Sequence, residues 1–182
     1  VITADLQAKA EAKGLYYPPD PTSRADCSIG GNIATNAGGP RSLKYGVTSD
    51  YVLGLEIVLS GGTVARVGGR THKNKTGFDF PRFFTGSEGM LAVITEATLK
   101  LLPLPPFRAA LSVGFGSVRL AILGIKAIFK AGFLPSALEL ADEFTCALKK
   151  IEPATNVTRV VAVIWLWNLT DKRKASAQNS GN

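Results

Sequence analysis

Metal-binding and acid–base side chains are scarce in this sequence. It has one histidine, His72, and two cysteines, Cys27 and Cys146, among 182 residues. A single histidine cannot form the histidine pair of a metal site or a histidine-based catalytic cluster. The cysteines form no CxxC pair and have no second ligand at metal-binding spacing. We therefore expect no metal, a reducing compartment, and catalytic residues that the sequence leaves unassigned.

Long apolar runs are also missing. The sequence has no stretch of about 18 apolar residues, and its N-terminus does not combine a basic start, an apolar stretch and a small-residue cleavage site. We therefore expect no transmembrane segment and a cytoplasmic chain, with membrane association through partners, or a mitochondrial location in a eukaryote, as alternatives. Because the first residue is Val1, we expect the natural start to lie upstream.

Positive charge is concentrated near the C-terminus. Of the formal net charge of +7, residues 149–182 supply +4, with six Lys or Arg against two Asp or Glu, and residues 1–148 supply +3. The sequence does not interleave aromatic and basic residues in the way that proteins stacking nucleic acid bases do. We expect no nucleic acid partner, and we interpret residues 171–182 as a flexible tail.

The first 105 residues are predicted to form one domain. A short surface helix capped by Thr3 should end at Gly14, and two β-rich runs joined at Ser60–Gly62 should form a hairpin. A further strand should run from Met90 to the proline cluster. The segment between the hairpin and this strand contains four phenylalanines, which are expected to make it a strong packing element: Phe78, Phe80, Phe83 and Phe84.

A domain boundary is predicted at the proline cluster that begins at Pro103. Residues 106–170 should form a second domain in the order β-α-α-β. Its two helices are predicted in "VRLAILGIKAIFKAG" and "SALELADEFTCALKK", and its last strand in "VTRVVAVIWLWNLT".

The stretch "SIGGNIATNAGGPRSLKYG", residues 28–46, has five glycines and no acidic residue. Glycines let a ligand approach backbone N–H groups, and consecutive N–H groups can bind an anion such as a pyrophosphate. The chain has no GxxxxGK[ST] loop, and "GGNIATNAGG" does not have the GxGxxG spacing. From the residues alone, an anion site and a pair of glycine turns flanking a short element both remain open.

Several motifs occur together in one order. "PPDPTSRADCSIGGNIATNAGGPRSLKYG" is followed by "KNKTGFDFPRFFTGSEGMLAVITEATLKLLP". Together these motifs resemble the second half of the FAD-binding domain of the vanillyl-alcohol oxidase / PCMH-type family, in its branch of D-lactate dehydrogenases, glycolate oxidase FAD subunits and D-2-hydroxyglutarate dehydrogenases. A looser similarity to the start of that family's cap domain continues to about residue 169.

The resemblance implies an α+β fold: part of a PCMH-type FAD-binding domain, mainly antiparallel sheet with flanking helices, followed by the beginning of an α+β cap domain. It also implies an FAD cofactor, with the "PDPTS" turn along the flavin and the glycine-rich stretch around the pyrophosphate. The cofactor-binding residues implied in this way are Pro19, Ser23, Ser28, Gly30, Gly31, Asn32, Thr35, Asn36, Gly38, Gly46, Glu88, Gly89 and Ile94.

The function implied is oxidation of a D-2-hydroxy acid of the lactate or glycolate class. Electrons would pass to a quinone, a cytochrome, a flavoprotein or a partner subunit. The family usually shows "GSEGTLGIIT", where this chain has Met90 and Ala92. Its first glycine-rich loop and its later histidine pair with a metal find no match here, so we expect weak or no turnover by this chain alone. The alternative is a non-catalytic flavin-domain remnant or partner subunit that acts in assembly.

Several charged residues keep two interpretations. Arg24, Arg41, Lys73 and Lys75 either neutralise a phosphate or carboxylate or lie solvated on the surface, and His72 is expected to be exposed rather than linked to flavin. Asp26 and Glu88 are possible general bases, but carboxylates beside glycine turns more often anchor backbone N–H groups. Cys27 is interpreted as a small packing residue.

Overall fold

The structure is a computed structural model that describes residues 1–142, 144–145 and 160–167. The chain divides into two compact units, Val1–Leu104 and Pro105–Asn182. Both contain antiparallel strands and helices, which confirms the α+β prediction. Cys146 and the proposed tail lie outside the described residues.

The first unit contains two antiparallel sheets. Its elements, in chain order, are helix α1 (Thr3–Glu11), strand β1 (Leu15–Tyr16), helices α2 (Ile29–Thr35) and α3 (Ser42–Tyr45), a 3-10 helix (Thr48–Tyr51), strands β2 (Val52–Val58) and β3 (Val64–Gly68), helix α4 (Phe80–Phe84), and strands β4 (Val93–Leu99) and β5 (Leu102–Pro103). The larger sheet has the order β3-β2-β4, and β1 pairs with β5.

The predicted hairpin is confirmed as the pair β2–β3. Its strands are joined through a turn in which Gly62 has a φ of 79°, a conformation that favours glycine. The buried side chains of β2 include Leu55 and Ile57, whereas Leu59 lies past the end of the strand and is exposed. One face of this sheet therefore closes the core of the first unit.

The core of the first unit lies between α2, the 3-10 helix, β2 and α4. Its buried members are Tyr17, Ile29, Ile33, Tyr51, Val52, Leu55, Ile57, Phe84 and Ala92. Since α2 contributes Ile29 and Ile33, the glycine-rich stretch is fixed to the sheet by apolar contacts.

The prediction that Thr3 caps α1 is wrong, although the helix does have the expected exposed face, at Asp5, Ala8 and Lys9. Thr3 is fully buried, and Ile2 occupies the N-cap position without a side-chain hydrogen bond. The Thr3 hydroxyl instead donates to the Cys27 carbonyl at 3.2 Å. Helix α1 therefore joins the core through Thr3, Gln7 and Ala10.

The predicted phenylalanine packing element is also wrong in large part. Only Phe84 is buried, while Phe78 is 84 % exposed and Phe80 and Phe83 are exposed as well. The short helix α4 turns a single aromatic side chain toward the core. The others contact neighbouring rings edge to face, as Phe78 and Phe80 do.

The second unit consists of strand β6 (Arg108–Phe115), helix α5 (Val118–Lys130) and strands β7 (Ala137–Asp142) and β8 (Val160–Trp167). The sheet order is β6-β8-β7, all antiparallel. Helix α5 is confirmed, and its N-cap is Ser117, whose Oγ accepts from Leu120 N. The helix predicted over the following segment is wrong where it covers Ala137–Asp142, because those residues pair with β8.

Candidate functional site

Helix α2 places two of the five glycines in its first turn. Ser28 is the N-cap: its Oγ accepts from Gly31 N at 3.0 Å, and its carbonyl accepts from Asn32 N at 2.9 Å. One of the two interpretations left open by the sequence placed a turn at Gly30 and Gly31, and the structure shows none there. They begin a helix, whose end is marked by Asn36 in the left-handed region at a φ of 50°.

Of the two glycines in α2, Gly30 is the one whose Cβ position is open. Gly30 is exposed, and a Cβ built on it would have no atom within 4 Å. Its N–H donates to no acceptor among the described residues, whereas the N–H of Ile29 donates to Val1 O at 2.9 Å. An unpaired N–H beside an open Cβ position is what close approach of an anionic ligand to a backbone requires.

An open groove of about 310 Å³ runs past Gly30. It is lined by residues of α1, α2 and β4, and Ile94 of β4 is one of them. The lining is mainly apolar, with Thr95 and Glu96 as polar members. The structure thus brings together two of the predicted cofactor residues, Gly30 and Ile94, on one concave surface.

The "GSEG" turn lies against the end of α2. Gly86 N donates to Ile33 O at 2.9 Å, and Glu88 N donates to Ala34 O at 2.8 Å. Glu88 has a φ of 51°, and the next residue, Gly89, has open space at its Cβ position. Since β4 follows directly, this docking fixes the start of the strand that carries Ile94.

Three other predicted cofactor residues have structural roles within the unit. Asn32 is buried, and its Nδ2 donates to Thr3 Oγ1 at 2.7 Å. Asn36 Oδ1 accepts from Ser49 N at 2.9 Å. A Cβ on Gly46 would collide with the Asp50 carboxylate, which accepts from Val47 N. These contacts explain each residue type without a ligand.

Thr35 and Gly38 lie on either side of the end of α2. The Thr35 hydroxyl is exposed and donates to Gly31 O at 2.9 Å. Gly38 is partly buried, and a Cβ there would lie 3.1 Å from Ser42 Oγ. Both remain predicted cofactor residues, as does Gly31, whose Cβ position lies 3.2 Å from Ser28 Oγ.

The "PDPTS" turn holds Pro19 in a buried position and exposes Ser23. Asp20 lies between them and forms an ion pair of 3.0 Å with Arg41. Arg41 also donates to Tyr16 Oη at 2.9 Å, so it is not a solvated surface side chain. Sequence reasoning missed Asp20 and Tyr16, because no local pattern shows which residues a distant arginine contacts.

The remaining charged candidates are exposed. His72 and Lys75 line a polar pocket of about 320 Å³, whose other lining residues lie in 71–79, apart from Lys73, and at Val52, Leu53 and Pro81. The carboxylates of Asp26 and Glu88 accept no hydrogen bond from any described residue, so the expected anchoring of backbone N–H groups is wrong. In the described part of the chain, no three His, Cys, Asp or Glu side chains gather in a group able to hold a metal.

All four tyrosines of the chain lie in the first unit, and their pKa values are all raised. Burial is the main cause in each case, because a phenolate is poorly solvated inside a protein. Burial, with Asp50 nearby, raises the pKa of Tyr51 to about 12. The Arg41 guanidinium favours the phenolate of Tyr16, but burial outweighs it.

Residues 1–68 match the family model described as an FAD binding domain. The glycolate oxidase subunit GlcD of Bacillus subtilis is 46 % identical over 145 residues, which are 80 % of this chain and 31 % of that protein. A D-lactate dehydrogenase of Anaerostipes hadrus is 38 % identical over 143 residues, 79 % of this chain and 30 % of that protein. The chain thus spans about a third of the length of the curated relatives it matches.

A solved structure of alkyldihydroxyacetonephosphate synthase superposes on 98 % of this chain and on 36 % of its own chain, with a TM-score of 0.79. Its sequence identity is 21 %, so the likeness concerns the fold. Among the described residues, every helix is too short or too polar to span a bilayer.

Proposed function

Because this chain is related to the PCMH-type FAD-linked oxidoreductases, as its motifs predicted, we propose that it is the FAD-binding portion of a flavin-dependent enzyme. The enzyme oxidises a D-2-hydroxy acid of the lactate or glycolate class to the 2-oxo acid. Relatives named as a glycolate oxidase subunit and a D-lactate dehydrogenase support this substrate class.

One observation carries the cofactor proposal: the unpaired N–H of Gly30 on the wall of the groove that also contains Ile94. The residues around it suit a pyrophosphate. No acidic residue occurs between Ser28 and Gly46, so no carboxylate in that segment repels the phosphates. At the start of α2, the unpaired N–H of Gly30 adds a partial positive charge that favours a phosphate.

The chain's own residues bind and orient the cofactor. FAD, when bound, supplies the acceptor for the hydride that leaves the substrate's α-carbon. Gly30 and Gly31 would hold the pyrophosphate side, and the segment from Glu88 to Ile94 would contact the cofactor through its backbone. The mainly apolar groove would exclude water from the part of the cofactor that it covers.

A partner subunit is part of the proposal. The GlcD relative is named as a subunit, which supports an assembly of this chain with another polypeptide. Such a partner, or a quinone, a cytochrome or a flavoprotein, would take the electrons from the reduced cofactor. A cytoplasmic location, with membrane association through partners or a mitochondrial site in a eukaryote, is proposed with it.

The experiment is a titration of the 182-residue chain with FAD, followed by flavin fluorescence and visible absorbance. We expect saturable binding by the parent and a loss of affinity of about tenfold or more in Gly30→Leu, because the new side chain fills the approach to the backbone. Gly61→Leu is the matched control, since Gly61 also has open space at its Cβ position but lies in the β2–β3 turn.

Two results would decide against the proposal. Absence of any flavin signal change with the folded parent would favour the alternative of a non-catalytic remnant or assembly subunit. Equal affinity of Gly30→Leu and the parent would show that the cofactor does not lie on the start of α2.

A further inference from the structure

The contacts of the Arg41 guanidinium include an ion pair, a hydrogen bond and a ring contact. It forms an ion pair of 3.0 Å with Asp20, donates to Tyr16 Oη at 2.9 Å, and lies over the Tyr16 ring at 5.7 Å from its centroid. The side chains of Arg41 and Asp20 are only 16 % and 15 % exposed. An ion pair held at this depth is less screened by water and salt than a surface pair.

The two backbone segments that carry this ion pair are also in close contact. A Cβ on Gly39 would collide with the Asp20 carbonyl, so the glycine-rich segment and the "PDPTS" turn touch through their main chains. On the other side of the turn, Gln7 Nε2 donates to Pro19 O at 2.9 Å. The turn is thus held between α1 and the segment that follows α2.

We propose that Arg41 is a positioning residue of the cofactor site. Its ion pair with Asp20, together with Tyr16 (hereafter the clasp), fixes the Pro19–Ser23 turn against the glycine-rich segment, and it does so without contacting the cofactor's phosphates. The inference rests on the proposed function for the identity of the ligand, and on the contacts above for the clasp itself.

The two roles that Arg41 can have predict opposite effects of Asp20→Asn. If Arg41 contacted a phosphate, removing the carboxylate would free the guanidinium, and FAD affinity would stay equal or rise. If the clasp positions the turn, Asp20→Asn and Arg41→Gln should each weaken FAD binding by about tenfold. The double variant should bind FAD no more weakly than either single variant, because the three variants all break the same contact.

Arg24→Gln is the matched control. Arg24 pairs with the same Asp20 carboxylate at 3.3 Å, but its side chain is 51 % exposed. We expect its FAD affinity to stay within about twofold of the parent's, as is usual for an exposed ion pair. Arg41→Lys should be intermediate, because an ammonium keeps the charge but lacks the planar fork that reaches both Asp20 and Tyr16.

A second readout does not need FAD. Trypsin cleavage after Arg24, followed by mass spectrometry, reports release of the turn, and cleavage after Lys75, in an exposed segment without helix or strand, gives the reference for protease activity. In Arg41→Gln we expect cleavage after Arg24 to be about tenfold faster, with the Lys75 rate unchanged. Arg82→Gln, which breaks an exposed ion pair with Asp50, should change neither rate.

The outcomes separate the clasp from the proposed function. If the parent binds no FAD but Arg41→Gln speeds cleavage after Arg24, the proposed function fails for this chain and the clasp stands. Unchanged cleavage after Arg24 would overturn the clasp. Equal or tighter FAD binding by Asp20→Asn would overturn it in favour of a direct phosphate contact.

Discussion

At the residue scale, the predicted cofactor positions divide by what already surrounds them. Asn32, Asn36 and Gly46 are explained by contacts inside the first unit, whereas Gly30 has an unpaired N–H and open space. At a position such as Gly30, the contacts within the described fold do not explain why the residue is a glycine. Gly30 is therefore the sharpest single position at which to test the cofactor assignment.

Replacing Gly30 by alanine should separate stability from binding. A methyl group meets nothing within 4 Å, and alanine is favoured over glycine in a helix, so unfolding should require about 0.5–1 kcal/mol more. FAD affinity should fall in the same variant. Thermal melting and a flavin titration measure the two effects, and a less stable Gly30→Ala would contradict the open environment described here.

Asn32→Ala should show the reverse pattern. The variant loses the 2.7 Å bond from Asn32 Nδ2 to Thr3 Oγ1 in a buried place, which costs about 1–3 kcal/mol. Well below its melting temperature, it should bind FAD as the parent does. Thr35→Ala, at an exposed hydroxyl, should change stability by less than about 0.5 kcal/mol. A stable Asn32→Ala with poor FAD affinity would restore Asn32 as a ligand residue.

At the scale of elements, α2 is a seven-residue helix that depends on its cap and on the sheet beneath it. Ser28 Oγ satisfies the Gly31 N–H, and Ile29 and Ile33 bury their side chains. The helix begins where the cofactor is proposed to bind, so a change at the cap can alter folding, binding or both. The choice of capping residue tells these effects apart.

Ser28→Asp keeps the cap and adds a negative charge. Aspartate caps helices about as well as serine, so the melting temperature should stay close to the parent's. FAD affinity should fall, because the carboxylate repels the phosphates, and added salt should restore part of it. Ser28→Asn, a neutral cap, is the control. Equal FAD affinity of Ser28→Asp and Ser28→Asn at low salt would place the phosphates elsewhere.

Elements set by local pattern were predictable from the sequence. The β2–β3 hairpin follows from a glycine turn between β-rich runs, and α5 follows from its apolar period. Strand β7 was not predictable in this way. "ALELAD" fits a helix by composition, yet its alternation also suits a strand, and pairing with β8, which starts 18 residues after β7 ends, decides the outcome.

Burial and long-range contacts also limited what could be predicted from the sequence. The sequence does not show that α4 turns only Phe84 inward, because the direction depends on where Pro81 and Phe84 meet the sheet. Nor does it show that Arg41 meets Asp20, 21 positions earlier, instead of solvent or a phosphate. The glycine-rich motif predicts where in the chain the candidate site lies, but the helix that it forms and the contacts of each member needed the fold.

At the scale of the whole molecule, pH above about 10 should destabilise the first unit, because its tyrosines stay protonated in the fold at a pH at which they ionise in the unfolded chain. All four tyrosines have raised pKa values in the fold and about 10 when unfolded. Their contribution to stability is complete below pH 10, and it is lost as the pH rises through the folded-state values, about 12 for Tyr51.

The measurement is a series of melting curves with tyrosinate absorbance, from neutral to strongly alkaline pH. We expect the melting temperature to fall above pH 10, and the phenolate signal to appear together with unfolding instead of before it. Because no tyrosine lies in the second unit, the signal reports the first unit alone. Titration of the tyrosines at pH 10 in the folded chain would contradict the burial described for them.

The central claim is that FAD binds on the surface formed by the start of α2 and the segment that leads into β4. Its most direct test is backbone amide hydrogen exchange of the 182-residue chain with and without FAD. We predict slower exchange at Gly30 and Gly31 and from Glu88 to Ile94 when FAD is present. The exchange of the exposed residues 70–77 (the 70–77 loop) and of the second unit should not change. Protection confined to the 70–77 loop or to the second unit, or no protection at saturating FAD, would contradict the account.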